Sequence, residues 1–253
     1  MLSASGEIIR AVAKGARKPK AKLGAASGLF RCNDWLLHTG RNLEIVTEAR
    51  TIEAHSHLTA QYRTSLAASV IGEFIAKTHL PGQTDSRIYD MTMVALGLLD
   101  EIARDASADS SHPSAGESRA DAIVLAYLLK SIAMHGYYPA ADLCADCGRP
   151  VSCEAVTVEW SSLVAGVLCD ECAPGAVDAR RIPGAAALWL SFLLRSTLAE
   201  VALATVPTGA LDDLFELTAG LVETHVQTRL RALEVYRSDR VAERSRNGLT
   251  PPS

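Results

Sequence analysis

The chain has 253 residues, of which 48% are apolar and 21% charged, and its 25 Lys and Arg against 29 Asp and Glu give a formal charge of −4. This composition excludes a disordered chain and predicts a folded protein with a large core. The first 18 residues lack the apolar segment of a secretion signal, and the longest apolar run, 185–194, is too short to span a bilayer. We therefore expect a cytoplasmic protein with no membrane partner.

Short β-type segments occupy the first 57 residues. They cover residues 7–13, 28–32, 34–38 and 43–54, and turn-forming residues such as Gly15 and Gly40 separate them. β-Branched residues, which favour strands, occur in the last of these segments. Several short strands joined by tight turns predict a small β-barrel.

Charge is distributed unevenly along the chain. Residues 1–50 contain nine Lys and Arg against four Asp and Glu, whereas residues 51–253 contain sixteen against twenty-five. The segment 12–24 holds five cations and no carboxylate, at Lys14, Arg17, Lys18, Lys20 and Lys22. Such a segment indicates an anionic partner. A solvated surface loop without a partner is the alternative.

Helical periodicity begins at residue 58. Apolar residues recur at helical spacing and predict helices over 58–80, 85–104, 119–136, 184–205 and 209–237. Residues 105–118 are small and polar and predict a mobile linker, and residues 238–253 predict a polar tail that frays.

Four cysteines give the strongest chemical signal. Cys144, Cys147, Cys169 and Cys172 make two CxxC pairs, with Gly148 after the first pair and β-type residues between them. Two thiolates on each of two tight turns complete the tetrahedral shell of a zinc ion. Because four sulfur ligands leave no open position, we expect one structural zinc per chain and no catalytic metal. Disulfides are the alternative, although a reducing cytosol disfavours them.

Other candidate sites carry weaker signals. His55 and His57 form an HxH pattern, which binds metal in some hydrolases, but a strand end entering a loop is the simpler interpretation. Asp212 and Asp213 suit a helix N-terminus, and Cys153 suits a buried apolar position. The phosphate-binding pattern GxxxxGK[ST] does not occur. The residues themselves therefore indicate no catalytic site.

Several stretches together resemble the RecO family of bacterial DNA repair proteins. They are GEIIRAVAKGARKPKAKLGA, GRNLEIVTEARTIEAHSHL, HGYYPAADLCADCGRP, AGVLCDEC and HVQTRLRALEVYR, and their order and spacing fit from about residue 5 to residue 237. The most specific part is GYYP followed shortly by the first CxxC pair.

The resemblance implies an α+β protein in three parts. Residues 1–57 would form an N-terminal OB-fold β-barrel, and residues 58–237 a mainly α-helical domain with an inserted zinc ribbon at 140–180, followed by the tail 238–253. Family members begin with a strand and a turn before the residues that match SASGEIIR. The barrel of this chain is therefore expected to be partial, to lack its first strand and to leave an unpaired edge.

The resemblance also implies a function without an enzymatic step. RecO proteins bind single- and double-stranded DNA, anneal complementary strands and, with RecR, help RecA replace the single-strand-binding protein SSB at the nucleoid. The cations of segment 12–24 would bind phosphates, since an OB fold uses a cationic groove. Arg229, Arg231 and Arg237 would flank a pocket for the acidic C-terminal tail of SSB, with ordinary surface arginines as the alternative. A zinc-ribbon scaffold that contacts RNA or protein without annealing is the rival interpretation.

Overall fold

The computed structural model describes residues 1–16, 18, 21–80, 82–108 and 113–246. Its first part contains the strands β1 (Ala11–Val12), β2 (Cys32–His38) and β3 (Glu44–Glu53) and the short helix α1 (Lys22–Ala26). The central strand β3 pairs antiparallel with β2 and parallel with β1. Helix α1 packs against β3.

Two features of this sheet differ from the sequence prediction. The segments 28–32 and 34–38 contribute one strand and not two, because Phe30 has a left-handed φ of 60° and turns the chain before Cys32. Of the segment 7–13, only residues 11 and 12 lie in a strand, while Ile8 makes an isolated bridge to Leu2. Among the described residues the three strands form an open sheet, so the predicted OB barrel is not confirmed.

A helical part follows the sheet. Its first helices are α2 (Ser56–Ala60), α3 (Tyr62–Thr78), α4 (Ser86–Ala108) and α5 (Pro113–Met134). Helix α5 is central, because it contacts α3, α4 and several later helices, and its residues 120–129 are all buried. Its apolar run, AIVLAYLL, has no polar face, as expected of a helix that is surrounded by others.

The predicted linker 105–118 is mostly helical. Helix α4 continues to Ala108 and α5 begins at Pro113, while residues 109–112 lie outside the described part of the chain. Proline is tolerated at a helix start, since the first N–H groups have no intrahelical partner. The last turn of α4 is exposed, which explains why its composition resembles that of a linker.

A second sheet follows α5 in the chain and precedes the later helices. It contains β4 (Thr157–Ser161), β5 (Gly166–Leu168) and β6 (Arg180–Pro183), all antiparallel, in the order β5-β4-β6. Trp160 on β4 is fully buried. A Cβ atom at Gly166 would come within 2.6 Å of the carbonyl oxygen of Ala140, so glycine is needed there for the sheet to approach the chain that leaves α5.

The C-terminal helices are shorter than predicted. They are α6 (Gly184–Arg195), α7 (Leu198–Leu203), α8 (Thr208–Leu221) and α9 (Arg231–Arg246), with a π-helical turn at Val222–Val226. The prediction of single helices over 184–205 and 209–237 is therefore wrong. Thr197 starts α7 by a capping box with Glu200, and Gln227 ends the π-helical turn with a left-handed φ of 51°.

The polar sequence after residue 237 does not fray before residue 246. Helix α9 continues through it, and Arg240 is buried beside Asp121, Asp212 and the ring of Phe215. The predicted tail is thus wrong for residues 238–246, and residues 247–253 lie outside the described part. No helix in the described ranges has both the length and the apolar character that a membrane crossing requires.

Candidate metal centre and cationic surface

The four cysteines predicted as ligands converge at one point. The Sγ atoms of Cys144, Cys147, Cys169 and Cys172 all lie within 4.8 Å of one another, and all four thiols are free. Among the residues that the structure describes, this is the one group of three or more Cys, His, Asp or Glu side chains that can share an ion. The two CxxC pairs thus form a single four-sulfur cluster.

Two tight turns present these thiols. In the first turn, the N–H of Gly148 donates to the carbonyl oxygen of Cys144 at 2.8 Å, and Gly148 has a φ of 73°, which glycine adopts without strain. In the second turn, directly after β5, the N–H of Cys172 donates to the carbonyl oxygen of Cys169 at 3.0 Å. The N–H of Ala145 donates to a carbonyl oxygen of β5 at 2.8 Å. This bond holds the two turns face to face.

The turns favour the thiolate form of the first pair. Burial opposes the ionisation of Cys144, but backbone N–H groups from both turns point at its sulfur and lower its pKa to about 6. The pKa of Cys147 is lowered by the backbone N–H and then by the guanidinium of Arg149. The pKa of Cys172 is raised, chiefly by the carboxylate of Asp146.

The donor set fits a zinc ion. Zn–S bonds of about 2.3 Å in a tetrahedron place two sulfur atoms about 3.8 Å apart, and the Sγ atoms of Cys147 and Cys169 are 3.7 Å apart. Soft thiolate ligands favour zinc or iron–sulfur chemistry over hard cations such as magnesium. Because four sulfurs fill a tetrahedral shell, the cluster suits a structural ion.

One contact beside the sulfurs was not predicted from the sequence. The Nε atom of Arg149 lies 3.4 Å from Sγ of Cys147, while both Nη atoms donate to the carboxylate of Glu171, the first at 2.8 Å. Glu171 lies inside the second CxxC pair, so the guanidinium spans both turns. The available signal was an arginine directly after CxxCG together with an acid within CDEC.

The cationic segment lies beside the first sheet. Lys14 and Lys18 are exposed in successive turns after β1, and within the described ranges neither pairs with a carboxylate. Arg17 and Lys20 lie outside the described residues. Lys22 begins α1, but its side chain is not described. The structure therefore shows two of the five predicted DNA-binding side chains, both open to solvent.

The two histidines of the HxH pattern have different partners. Nδ1 of buried His55 donates to the carbonyl oxygen of Phe30 at 2.7 Å. Nδ1 of His57 lies 3.3 Å from a carboxylate oxygen of Asp100. Each ring therefore has a partner outside the HxH pattern. His55 lies just after the end of β3, as the interpretation of a strand end expected, but His57 lies in helix α2 and not in a loop.

Two minor predictions have separate outcomes. Cys153 is buried and its thiol donates to the carbonyl oxygen of Ala141 at 2.9 Å, in agreement with its prediction as a small buried residue. Asp212 lies in the second turn of α8 and accepts a hydrogen bond from Nη1 of Arg240 at 3.0 Å. The prediction that Asp212 and Asp213 serve the helix N-terminus is wrong, because both lie beyond the first turn of α8, which contains no acidic residue.

Comparisons with known proteins relate this chain to one family. A family model described as recombination protein O C terminal matches residues 114–234, which include the four cysteines. The DNA repair protein RecO of Desulfitobacterium hafniense (strain DSM 10664 / DCB-2) is 32% identical over 164 residues, covering 65% of this chain and 54% of the relative. The DNA repair protein RecO of Bifidobacterium longum subsp. infantis is 33% identical over 175 residues, covering 69% of this chain and 65% of the relative. The chain spans about half the length of the first of these relatives. It belongs to the RecO family of DNA repair proteins.

Proposed function

We propose that this chain acts in recombinational DNA repair as a DNA-binding protein without enzymatic activity. The observation that carries the proposal is its membership of the RecO family, through the match over residues 114–234 and the two relatives. The proposed actions are binding of single- and double-stranded DNA, annealing of complementary strands and, with RecR, loading of RecA onto SSB-coated DNA in the cytoplasm. These actions rearrange non-covalent contacts, so they require no catalytic residue.

The segment 12–24 supplies the DNA-binding charge in this proposal, on a first part that is proposed to belong to an OB fold. Its five cations contrast with the acidic remainder of the chain, and this asymmetry directs a polyanion toward the N-terminal sheet. Lys14 and Lys18 support the proposal because both are exposed. Contacts to phosphates carry no base information, so binding should show no sequence preference, as an annealing protein requires.

The salt dependence of single-strand binding tests this assignment. If each of the five side chains neutralises one phosphate, log K should fall against log salt concentration with a slope of about −3.5, since each contact contributes about −0.7. The double variant Lys14→Ala/Lys18→Ala should have a slope of about −2.1. Arg104→Ala, which removes an exposed cation from α4, serves as the control and should leave the slope unchanged. A wild-type slope near zero would contradict the role of this segment.

Annealing distinguishes the proposal from a zinc-ribbon scaffold. Complementary oligonucleotides coated with SSB, one carrying a fluorophore and the other a quencher, should form duplex faster when the chain is added. The double lysine variant should anneal more slowly than wild type. A folded, zinc-loaded chain that does not accelerate duplex formation would favour the scaffold.

In this proposal the SSB tail binds beside α9. A small pocket there is lined by apolar residues that include Val222, Leu230 and Leu233, by Arg237 and by the carboxylates of Glu223 and Glu234. An acidic tail that ends in apolar residues needs the apolar lining and the arginine, and it must approach from the arginine side to avoid the two carboxylates. Arg237 pairs with Glu216, which a tail carboxylate would replace. Arg237→Ala should weaken binding of a tail peptide in fluorescence anisotropy, whereas Arg181→Ala, on β6, should not. Equal affinity of both variants would contradict this location.

The proposed cofactor is one structural zinc ion held by Cys144, Cys147, Cys169 and Cys172. When bound, the ion cross-links the two turns, and structural zinc contributes about 10–16 kcal/mol in small zinc modules. Native mass spectrometry of chain purified under reducing conditions should show one zinc per chain. Cys144→Ala should lose the ion and a large part of the stability of the helical part. A metal-free wild-type chain would contradict the proposal.

A further inference from the structure

We propose that Arg149 is a positioning residue of the metal centre, because a single guanidinium bonds to a ligand sulfur on one turn and to a carboxylate on the other. It would hold the two halves of the four-cysteine cluster in the geometry that the ion requires. This inference rests on the zinc proposed above and concerns residues that belong to the chain itself.

The contacts of Arg149 are directional. Its Nε lies 3.4 Å from Sγ of Cys147, and its two Nη atoms form a forked pair with both oxygens of Glu171. The guanidinium is planar and rigid, so the forked pair with Glu171 fixes the direction in which the Nε–H points. A movement of Glu171 on the second turn would therefore reorient the guanidinium and alter its contact with the sulfur of Cys147 on the first turn.

Charge gives the contact a second effect. A divalent ion with four thiolates carries a net negative charge, and Asp146, Asp170 and Glu171 lie within the two CxxC pairs. Among the hydrogen bonds of the described residues, Arg149 provides the cationic side-chain donor to a ligand sulfur. Such a donor stabilises the thiolate, which is the form that binds the metal, and fixes the orientation of its sulfur.

Arg149 matters because it lies beside a ligand sulfur, and not because of the stability that its ion pair contributes. The side chains of Arg149 and Glu171 are 53% and 70% exposed, and exposed ion pairs contribute only about 0–1 kcal/mol to stability. The neighbouring second sheet contains a comparable pair, in which Nε of Arg181 donates to Glu159 at 3.0 Å without touching a cysteine. Arg181→Ala is therefore a matched control that removes the same charge from the same module.

Zinc transfer to a chromogenic chelator measures the effect. Loss of outer contacts to metal ligands typically weakens metal binding by about 10–100-fold. Because Arg149 is exposed, we expect an effect at the lower end of this range. Arg149→Ala should therefore release zinc about 10-fold faster than wild type, whereas Arg181→Ala should release it at the wild-type rate. Arg149→Lys, which keeps the charge but lacks the planar fork, should lie between wild type and Arg149→Ala. Glu171→Gln, which keeps the arginine but removes its charged partner, should also be intermediate.

Cobalt substitution gives a readout that a general loss of stability would not change. Arg149→Ala should shift the sulfur-to-cobalt charge-transfer band to longer wavelength, because the sulfur lone pairs lose a hydrogen-bond donor. Arg181→Ala should leave the band unchanged. Wild-type release rates together with an unshifted band in Arg149→Ala would overturn this inference while leaving the zinc proposal intact. A wild-type chain that takes up no metal would instead overturn the zinc proposal itself.

Discussion

Replacing Asp121 with asparagine removes one negative charge from the interior of the helical part. The carboxylate of Asp121 accepts hydrogen bonds from Nη2 of Arg63 at 2.7 Å, from the hydroxyl of Tyr236 at 2.7 Å and from Nε of Arg240 at 2.5 Å. The side chains of Asp121 and Arg240 are 5% and 7% exposed, and that of Arg63 is 14% exposed. One carboxylate on α5 thus joins donors from α3 and α9.

The expected cost follows from the charges left behind. Removing one partner from a buried ion cluster costs about 3–5 kcal/mol, because the remaining charges lack compensation. Asparagine has nearly the same volume as aspartate, so the change creates no cavity and reports mainly on charge. A domain is stable by only about 5–15 kcal/mol. Asp121→Asn should therefore lower the melting temperature by roughly 6–20 °C, at about 2–4 °C per kcal/mol for a chain of this size.

Urea unfolding followed by circular dichroism measures this loss directly. Asp239→Asn is the control, since Asp239 pairs with the same Arg63 at 3.1 Å but has a more exposed side chain, at 21%. That variant should lose no more than about 1 kcal/mol. If Asp121→Asn lost as little as Asp239→Asn, the buried cluster would not stabilise the contact between α5 and α9, and the reasoning would be refuted.

Three further predictions concern capping and pH. Thr197→Ala should destabilise the chain by about 1 kcal/mol in urea unfolding, because it removes a helix cap; an unchanged midpoint would contradict the capping role. Burial and the facing Glu243 raise the pKa of Glu117 to about 7. The protonated carboxyl therefore contributes stability that is fully present below about pH 4.5 and is lost as the pH rises through 7. Glu117→Gln should therefore reduce the loss of stability between pH 5 and pH 8, and an unchanged pH profile would argue against it. Burial lowers the pKa of His79 and of His135. The neutral form of each ring therefore contributes stability that is complete above about pH 6.5 and is lost as the pH falls below it. His135→Gln should therefore reduce the fall of the urea midpoint at acid pH relative to wild type.

The features that could be predicted from the sequence are those that depend on local geometry. A CxxC pair places two thiols on one turn whatever surrounds it, so spacing alone predicts the pair of Cys144 with Cys147 and that of Cys169 with Cys172, and the structure brings the two pairs into one cluster. The prediction of a helix over 119–136 is likewise confirmed by α5, and the structure adds that its apolar run, residues 122–129, is buried throughout.

The features that could not be predicted depend on residues distant in the sequence. The carboxylate of Glu73, on α3, accepts a hydrogen bond from the N–H of Ala232 at 2.6 Å and thereby caps the start of α9. His225 bonds to the carbonyl oxygen of Ser162 at 2.7 Å and holds the π-helical turn against the second sheet. No periodicity in residues 209–237 encodes either contact. The buried position of Arg240 likewise depends on a carboxylate that lies on α5.

The metal centre is continuous with the helical core. Trp160 belongs to the same apolar cluster as the side chains of α5 and α6. Between α5 and the first cysteine turn, Ala140 exchanges two backbone hydrogen bonds with β5 and the residue before it. At the other end, Gly184 begins α6 where a Cβ atom would approach the backbone of Ala155 to 2.1 Å. Because close backbone contacts hold the second sheet to the chain that leaves α5 and to the start of α6, we expect displacement of the cysteine turns to disturb the packing of both helices. The stability of the helical part should therefore depend on Cys144 and its three partners, although no helix supplies a ligand.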